Sequence, residues 1–222
     1  FPVDFIALTA KLGIDNVNFR EQIFTPSVLQ SSANGGVIET LTNNLRLINE
    51  YTASYNGSFG TTSVNAVVGA IFQRDNLRTT FIEKNDLPTD NFPSITSAAN
   101  PGDVLGRSSG DVLNSYIASV NFNFSSSLYA TASFRADGSS RFINDRWGYF
   151  PGVAAGYNFA SDNKLKNFDL LKLRVSWGQT GNNTIGNFAT RQLYGGGTNY
   201  LAAPGIAPTS VGNPDLVWET TA

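Results

Sequence analysis

The chain contains no cysteine, no histidine and no methionine. Without cysteine there is no disulfide scaffold, no thiolate metal site and no thiol nucleophile, although neither cytoplasm nor envelope is excluded as a compartment. Without histidine the commonest general base and metal ligand is missing, and with it every Ser-His-Asp triad and His-metal arrangement. Charge is also scarce: 14% of residues are charged and the formal net charge is -2. Lys and Arg are scattered singly, so there is no basic stripe to track phosphates, and nucleic acid is not an expected partner. No stretch approaches the roughly 18 apolar residues of a membrane helix. The opening FPVDFIALTAKLG lacks the basic flank and small-residue cleavage site of a signal peptide. The lack of any Met, and an end at WETTA just as a new apolar pattern starts, lead us to expect that the 222 residues are a segment of a longer protein.

What is present is period-two alternation, the mark of strands with one apolar face. Tyr116, Ala118, Val120, Phe122 and Phe124 fall on one face of 113–124, against Ser115, Ser119, Asn121 and Asn123, with Ile117 the exception. After the serines at 125–127 the phase restarts with Leu128, Ala130, Ala132, Phe134 and Ala136 against Tyr129, Thr131, Ser133 and Arg135. These two runs read as a hairpin. A second hairpin joins 45–57 (Leu45, Leu47, Tyr51, Ala53, Tyr55) to 64–73 (Val64, Ala66, Val68, Ala70, Phe72) through Gly60. A third joins 152–159 (Val153, Ala155, Tyr157, Phe159) to 170–177 (Leu171, Leu173, Val175, Trp177). With weaker runs at 7–19 and 216–218, the pattern predicts about eight strands and no long helix.

The connections carry the next step. Links at 58–63, 125–127 and 160–168 are short, and those at 20–40, 74–112, 137–150 and 178–215 are long, in strict alternation. Long structureless links are uncommon in a compact soluble domain. Outer-membrane barrels, in contrast, have short periplasmic turns at one rim and long extracellular loops at the other. A soluble β-sandwich, an adhesin or carbohydrate-binding module, shows the same alternation, with a core in place of lipid. Strands near the bilayer-crossing length of about 9–11 residues and aromatics towards strand ends favour the antiparallel transmembrane β-barrel. A carboxylate glycosidase is the remaining enzyme reading, but no mutually placed acid pair can be assigned, so no catalytic, cofactor or metal site is expected.

The C-terminal half is more specific: RADGSSRF at 135–142, RWGYFPGVAAGY at 146–157, LKLRVSWGQTGN at 171–182, IGN at 185–187 and NPDLVWETT at 213–221. This series, in order and spacing, resembles SusC/RagA TonB-linked outer-membrane proteins, and the hairpin at 44–73 is similar to an upstream barrel hairpin of that family. The resemblance implies that 1–222 is a fragment of the barrel domain of an importer, a barrel of about 22 strands closed by a plug. The plug, the TonB box and the remaining strands would lie outside this chain. It also implies a SusD-like surface lipoprotein and TonB as partners, oligosaccharide or peptide cargo, and a Gram-negative outer membrane with its lipid. The nearest relative function is a siderophore or cobalamin receptor without the lipoprotein lid.

Five residues form the candidate ligand site: Asp137, Arg141, Arg146, Trp147 and Tyr149, which with Asp145 bring opposite charges and aromatic rings into one loop, a composition suited to stacking and hydrogen-bonding a sugar or peptide. The competing and preferred reading is that they brace the loop, with Gly138 allowing a tight turn. The glycines of GDVLGRSSG at 102–110 lack the lysine and strand-to-helix context of a phosphate loop and read as a flexible outer loop. Lys172, Arg174 and Arg135 fall on the polar sets, where lumenal charge is ordinary.

Overall fold

The computed structural model describes residues 5–29, 34–125, 127–160, 171–201 and 203–222. Seven strands follow one another in a single sheet: β1 (Phe5–Thr25), β2 (Gly36–Phe59), β3 (Thr62–Asn85), β4 (Asn100–Phe124), β5 (Leu128–Ser139), β6 (Trp147–Asn158) and β7 (Lys172–Gly178). Their order in the sheet is their order in the chain, an up-and-down meander and not the crossed order of a Greek key. Four short strands follow: β8 (Thr180–Asn182), β9 (Leu193–Gly196), β10 (Ile206–Ser210) and β11 (Glu219–Thr221). They form two small antiparallel pairs, β9 with β10 and β8 with β11. The expected run at 216–218 is thus displaced to 219–221 and pairs with β8, outside the seven-stranded sheet. A single 3-10 turn at Ser27–Leu29 is the sole helical element among the described residues.

The register of the ladder explains how alternation becomes a two-faced wall. Val120 lies opposite Ala132, which lies opposite Val153, which lies opposite Trp177. One step along, Asn121 faces Thr131 and Thr131 faces Ala154. Because side chains in a strand alternate and the ladder is in phase, the apolar set of each strand lies beside the apolar set of the next. A one-residue slip would reverse every face.

The chain contains two compact units. The first comprises 1–12, 48–73 and 111–222. It contains β5 to β11 and the turn at 60–61, and Ser125 (φ 49°), just after β4, donates its N–H to the carbonyl of Thr61 at 3.0 Å. The link from β6 to β7, expected at 160–168, lies outside the described residues from 161 onward.

The second unit comprises 13–47 and 74–110, and here the expectation of long loops at 20–40 and 74–112 is corrected. β3 continues to Asn85 and β4 starts at Asn100, so much of that loop is strand. The linking segment 86–99 is tied down: Asp86 (φ 62°) exchanges hydrogen bonds with Gly35 and Ala99, and the Asp90 carboxylate accepts from the N–H and hydroxyl of Ser27 at 3.0–3.3 Å. Val37, Leu87 and Ala98 form a small buried core there, with Phe24 and Ile95 packed against it. The glycines at 102 and 110 are strand residues. A Cβ at Gly110 would stand 2.8 Å from the Asp75 carbonyl and one at Gly102 3.1 Å from that of Glu83, the close backbone approach that glycine in a strand permits. Link 137–150 shrinks likewise, to 140–146 between β5 and β6.

Candidate functional site

One face of the first unit leaves large side chains without cover. Large apolar side chains stand exposed, among them Tyr149 (58%), Val153 (54%), Leu173 (61%), Val175 (67%) and Trp177 (54%). Ser115 (2%), Asp137 (7%) and Ser139 (1%) on the other set are buried. A contiguous exposed apolar surface of this kind requires an apolar partner.

Aromatic rings mark two ends of that surface. Towards one end Phe72 meets Tyr51 and Tyr116 edge-on at 6.4 and 6.3 Å, and Trp147 stacks on Tyr116 at 5.7 Å. Trp147 reaches Tyr116 across Gly138, where a Cβ would stand 3.0 Å from the indole carbons. Phe134 stacks on Tyr149 at 6.2 Å beside this row. At the other end lie the pairs Phe122–Phe124 and Tyr157–Phe159. Between them come Ala118, Val120, Ala130, Ala132, Val153, Ala155 and Val175. From Trp147 to Tyr157 the strand rises about 34 Å, or about 26 Å across a bilayer at a tilt near 40°, close to the roughly 25 Å apolar band of outer-membrane barrels.

The polar face carries an ionic network where the end of β5 meets the middle of β4. Arg135 Nε donates to both oxygens of Asp137 at 2.8 and 2.7 Å, and its Nη2 donates to Ser115 Oγ at 3.2 Å. Arg141 is the second node: it donates to the carbonyls of Asn183 and Ile185, each at 3.3 Å, and pairs with Asp111 at 3.3 Å. Its own carbonyl accepts from the Thr190 hydroxyl at 2.8 Å. Phe142, fully buried, packs against Trp218, which also meets Phe150 edge-on at 5.5 Å and donates its indole N–H to the Arg146 carbonyl at 3.0 Å. The Phe150 ring lies where side chains at Gly148 and Gly181 would be. The five sequence motifs therefore meet in one packed cluster, with DGSSRF, RWGYF, GQTGN, IGN and NPDLVWE each supplying a partner that another requires.

Of the five candidate residues, Asp137 and Arg141 belong to this network, both close to Ser139: Asp137 two residues along β5, Arg141 through its N–H to Ser139 Oγ. The main chain of Arg146 joins them, its carbonyl accepting from the Ser139 N–H at 2.9 Å. Trp147 and Tyr149 go elsewhere, to the aromatic rows of the apolar face, so the five do not converge. Ser115 and Trp218, which carried no site expectation from the sequence, prove central, and Phe150, expected among the strand-end aromatics of the girdle, is instead buried on the polar face opposite Arg135. Phe150 lies within RWGYFPG and packs over Gly148 and Gly181, and the Trp218 ring also lies over Gly148, a proximity that the sequence does not reveal. At the opposite end of the same face the Lys172 ammonium sits 3.9 Å from the Tyr129 ring centroid. No cluster of three or more potential metal ligands occurs among the described residues.

No family model matches the chain. Among curated proteins it is similar to a TonB-dependent receptor of Formosa agariphila, 43% identical over 114 residues, which covers 50% of this chain and 11% of that protein. It is also similar to the TonB-dependent receptor SusC of Bacteroides thetaiotaomicron, 36% identical over 122 residues, covering 50% of this chain and 12% of SusC. Among solved structures the RagAB peptide transporter matches with a TM-score of 0.86 at 24% identity, over 97% of this chain and 25% of that one. The chain thus spans about a tenth to a quarter of the length of these relatives. Motif series, meander and these likenesses point the same way: the chain is similar in sequence to part of TonB-dependent receptors of the SusC type and in fold to part of the RagAB peptide transporter.

Proposed function

We propose that this chain is a stretch of the barrel wall of an outer-membrane importer that takes up oligosaccharides or peptides under TonB control with a SusD-like lipoprotein as partner. The observation that carries the reading is the two-faced sheet: an exposed apolar band bounded by aromatic rows on one side and a face of serine, asparagine, threonine and paired charge on the other. Lipid is the apolar partner the first face requires. The second face lines the route of the cargo. The relatives named as TonB-dependent receptors, and the likeness to a peptide transporter, support import over catalysis.

Within this reading the Arg135–Asp137–Ser115 and Arg141–Asp111 pairs hold the outer end of β5 against the middle of β4, and Asp137, Arg141 and Arg146 are the candidates for cargo contact from the polar side. Trp147 and Tyr149 anchor the wall at the bilayer surface. Purification of the complete receptor in detergent tests the proposal. A SusD-like lipoprotein should copurify, and the receptor band should migrate faster unboiled than boiled. A receptor without a lipoprotein points to the siderophore or cobalamin class, and one that stays in solution without detergent refutes the wall.

A further inference from the structure

The two arginine nodes of the polar face are not equally satisfied. Arg135 meets both oxygens of Asp137 at 2.8 and 2.7 Å, a firm clamp on one carboxylate. The Arg141 guanidinium reaches the carbonyls of Asn183 and Ile185 and the carboxylate of Asp111, each at 3.3 Å. Its Nε is buried and has no acceptor among the described residues. A buried donor without an acceptor keeps its full desolvation cost, so this grip is weak for the number of atoms it engages.

What Arg141 grips coheres by itself. Within 183–191 the N–H of Ile185 donates to the Asn183 carbonyl, those of Phe188 and Ala189 to Gly186, and that of Arg191 to Phe188, at 2.8–3.0 Å. The returning chain closes on this segment through the Asn213 N–H, which donates to the Ala189 carbonyl at 3.0 Å. Apart from the guanidinium, its side-chain ties to β5 and the turn after it are the Thr190 hydroxyl on the Arg141 carbonyl at 2.8 Å and the Asn183 amide on the Ser139 hydroxyl at 3.5 Å. Phe188 is held at φ 136°, a conformation that a residue with a side chain disfavours. Such strain persists where the surroundings enforce it and is typical of segments that switch. Asp111 and Ser139, the neighbours of Arg141, lie on the polar sets of β4 and β5, so the segment lies over a cation of the polar face and leaves 24% of its side-chain surface open.

We propose that 183–191 is an autoinhibitory strap. It fills the Arg141 donors with its own carbonyls, and its release as one piece leaves that guanidinium open to the lumen and to the acceptor oxygens of a cargo. The proposal rests on the wall reading above and states when Arg141 is available.

The test treats the complete receptor in detergent with p-hydroxyphenylglyoxal, which reacts with accessible guanidiniums, and follows each adduct by peptide mass spectrometry. Arg174, exposed on the polar set of β7, is the internal standard. In the wild type Arg141 should react measurably but more slowly than Arg174. Thr190→Val removes one tie of the strap and should speed Arg141 by about fivefold, the scale of one hydrogen bond. Joining the two cysteines of S139C/N183C with a bis-methanethiosulfonate should stop the reaction at Arg141, and reducing the link should restore it. Arg141 reacting as fast as Arg174 in the wild type, or indifferent to the link, overturns the strap. No reaction in either the wild type or Thr190→Val shows a fixed loop and overturns its release. A receptor without the heat-shifted band refutes the wall reading instead, so the two failures are distinguishable.

Discussion

Val120 and Asn121 are neighbours on β4 that answer to different solvents. Val120 sits in the apolar band opposite Ala132, and Asn121 accepts a hydrogen bond from Thr131 at 2.8 Å on the polar face. An arginine facing lipid near the bilayer midplane costs about 2–4 kcal/mol, whereas a lumenal one mainly tunes selectivity. Val120→Arg should therefore reduce the amount of folded receptor in outer membranes, measured by the heat-shifted band, and Asn121→Arg should leave it near normal. Gly181 offers a second residue-scale test, because the Phe150 ring occupies the place of its side chain. Gly181→Ala should destabilise by about 1–3 kcal/mol, the cost of overpacking, seen as a lower midpoint of thermal unfolding in detergent, and Phe150→Leu in the same chain should recover part of it. The faces of Val120 and Asn121 were legible in the sequence because period two alone decides them. The fates of Trp147 and Tyr149 were not. A loop aromatic that could stack on a sugar and one that anchors at a membrane surface have the same composition, and only the register opposite Gly138 and Ala136 separates them.

At the scale of the strand, the sequence showed where hairpins turn but underestimated how far strands run. Residues 102–110 read as a flexible loop because glycine and serine are poor strand formers. In the fold, close approach to the backbones of Asp75 and Glu83 requires two of those glycines. The long β3–β4 hairpin gives the topology a clear test. A cysteine at Asn91, in the segment linking β3 to β4, should react with an impermeant maleimide on intact cells. A cysteine at Thr61, in the two-residue turn between β2 and β3, should react after the outer membrane is permeabilised. The reverse pattern would invert the assigned direction of every strand. The small strands β8 to β10 were beyond the sequence, since three to five residues carry too little periodicity to be told from a turn, and β11 was legible only as a start a few residues early.

For the whole molecule, the question is which solvent each face meets. Spin labels at Val120, Phe122 and Ala130 in reconstituted lipid should be strongly relaxed by oxygen and shielded from a water-soluble nickel chelate, while labels at Asn121 and Thr131 should show the weaker oxygen contact of a lumen. Equal oxygen access on both sets would exclude a membrane wall. β6 adds a mechanical consequence. Its polar set reads Gly148, Phe150, Gly152, Ala154, Gly156 and Asn158, and its apolar set Trp147, Tyr149, Pro151, Val153, Ala155 and Tyr157. Nearly all its bulk is on one side, and the Ser133 hydroxyl leans to within 2.7 Å of where a Cβ at Gly152 would be. When a sheet is rolled, the concave side is compressed and the convex side spreads, so a strand bare on its inner side resists rolling least. β6 is thus the natural crease of this stretch of wall, and any side chain added along it would act as a wedge that flattens the sheet.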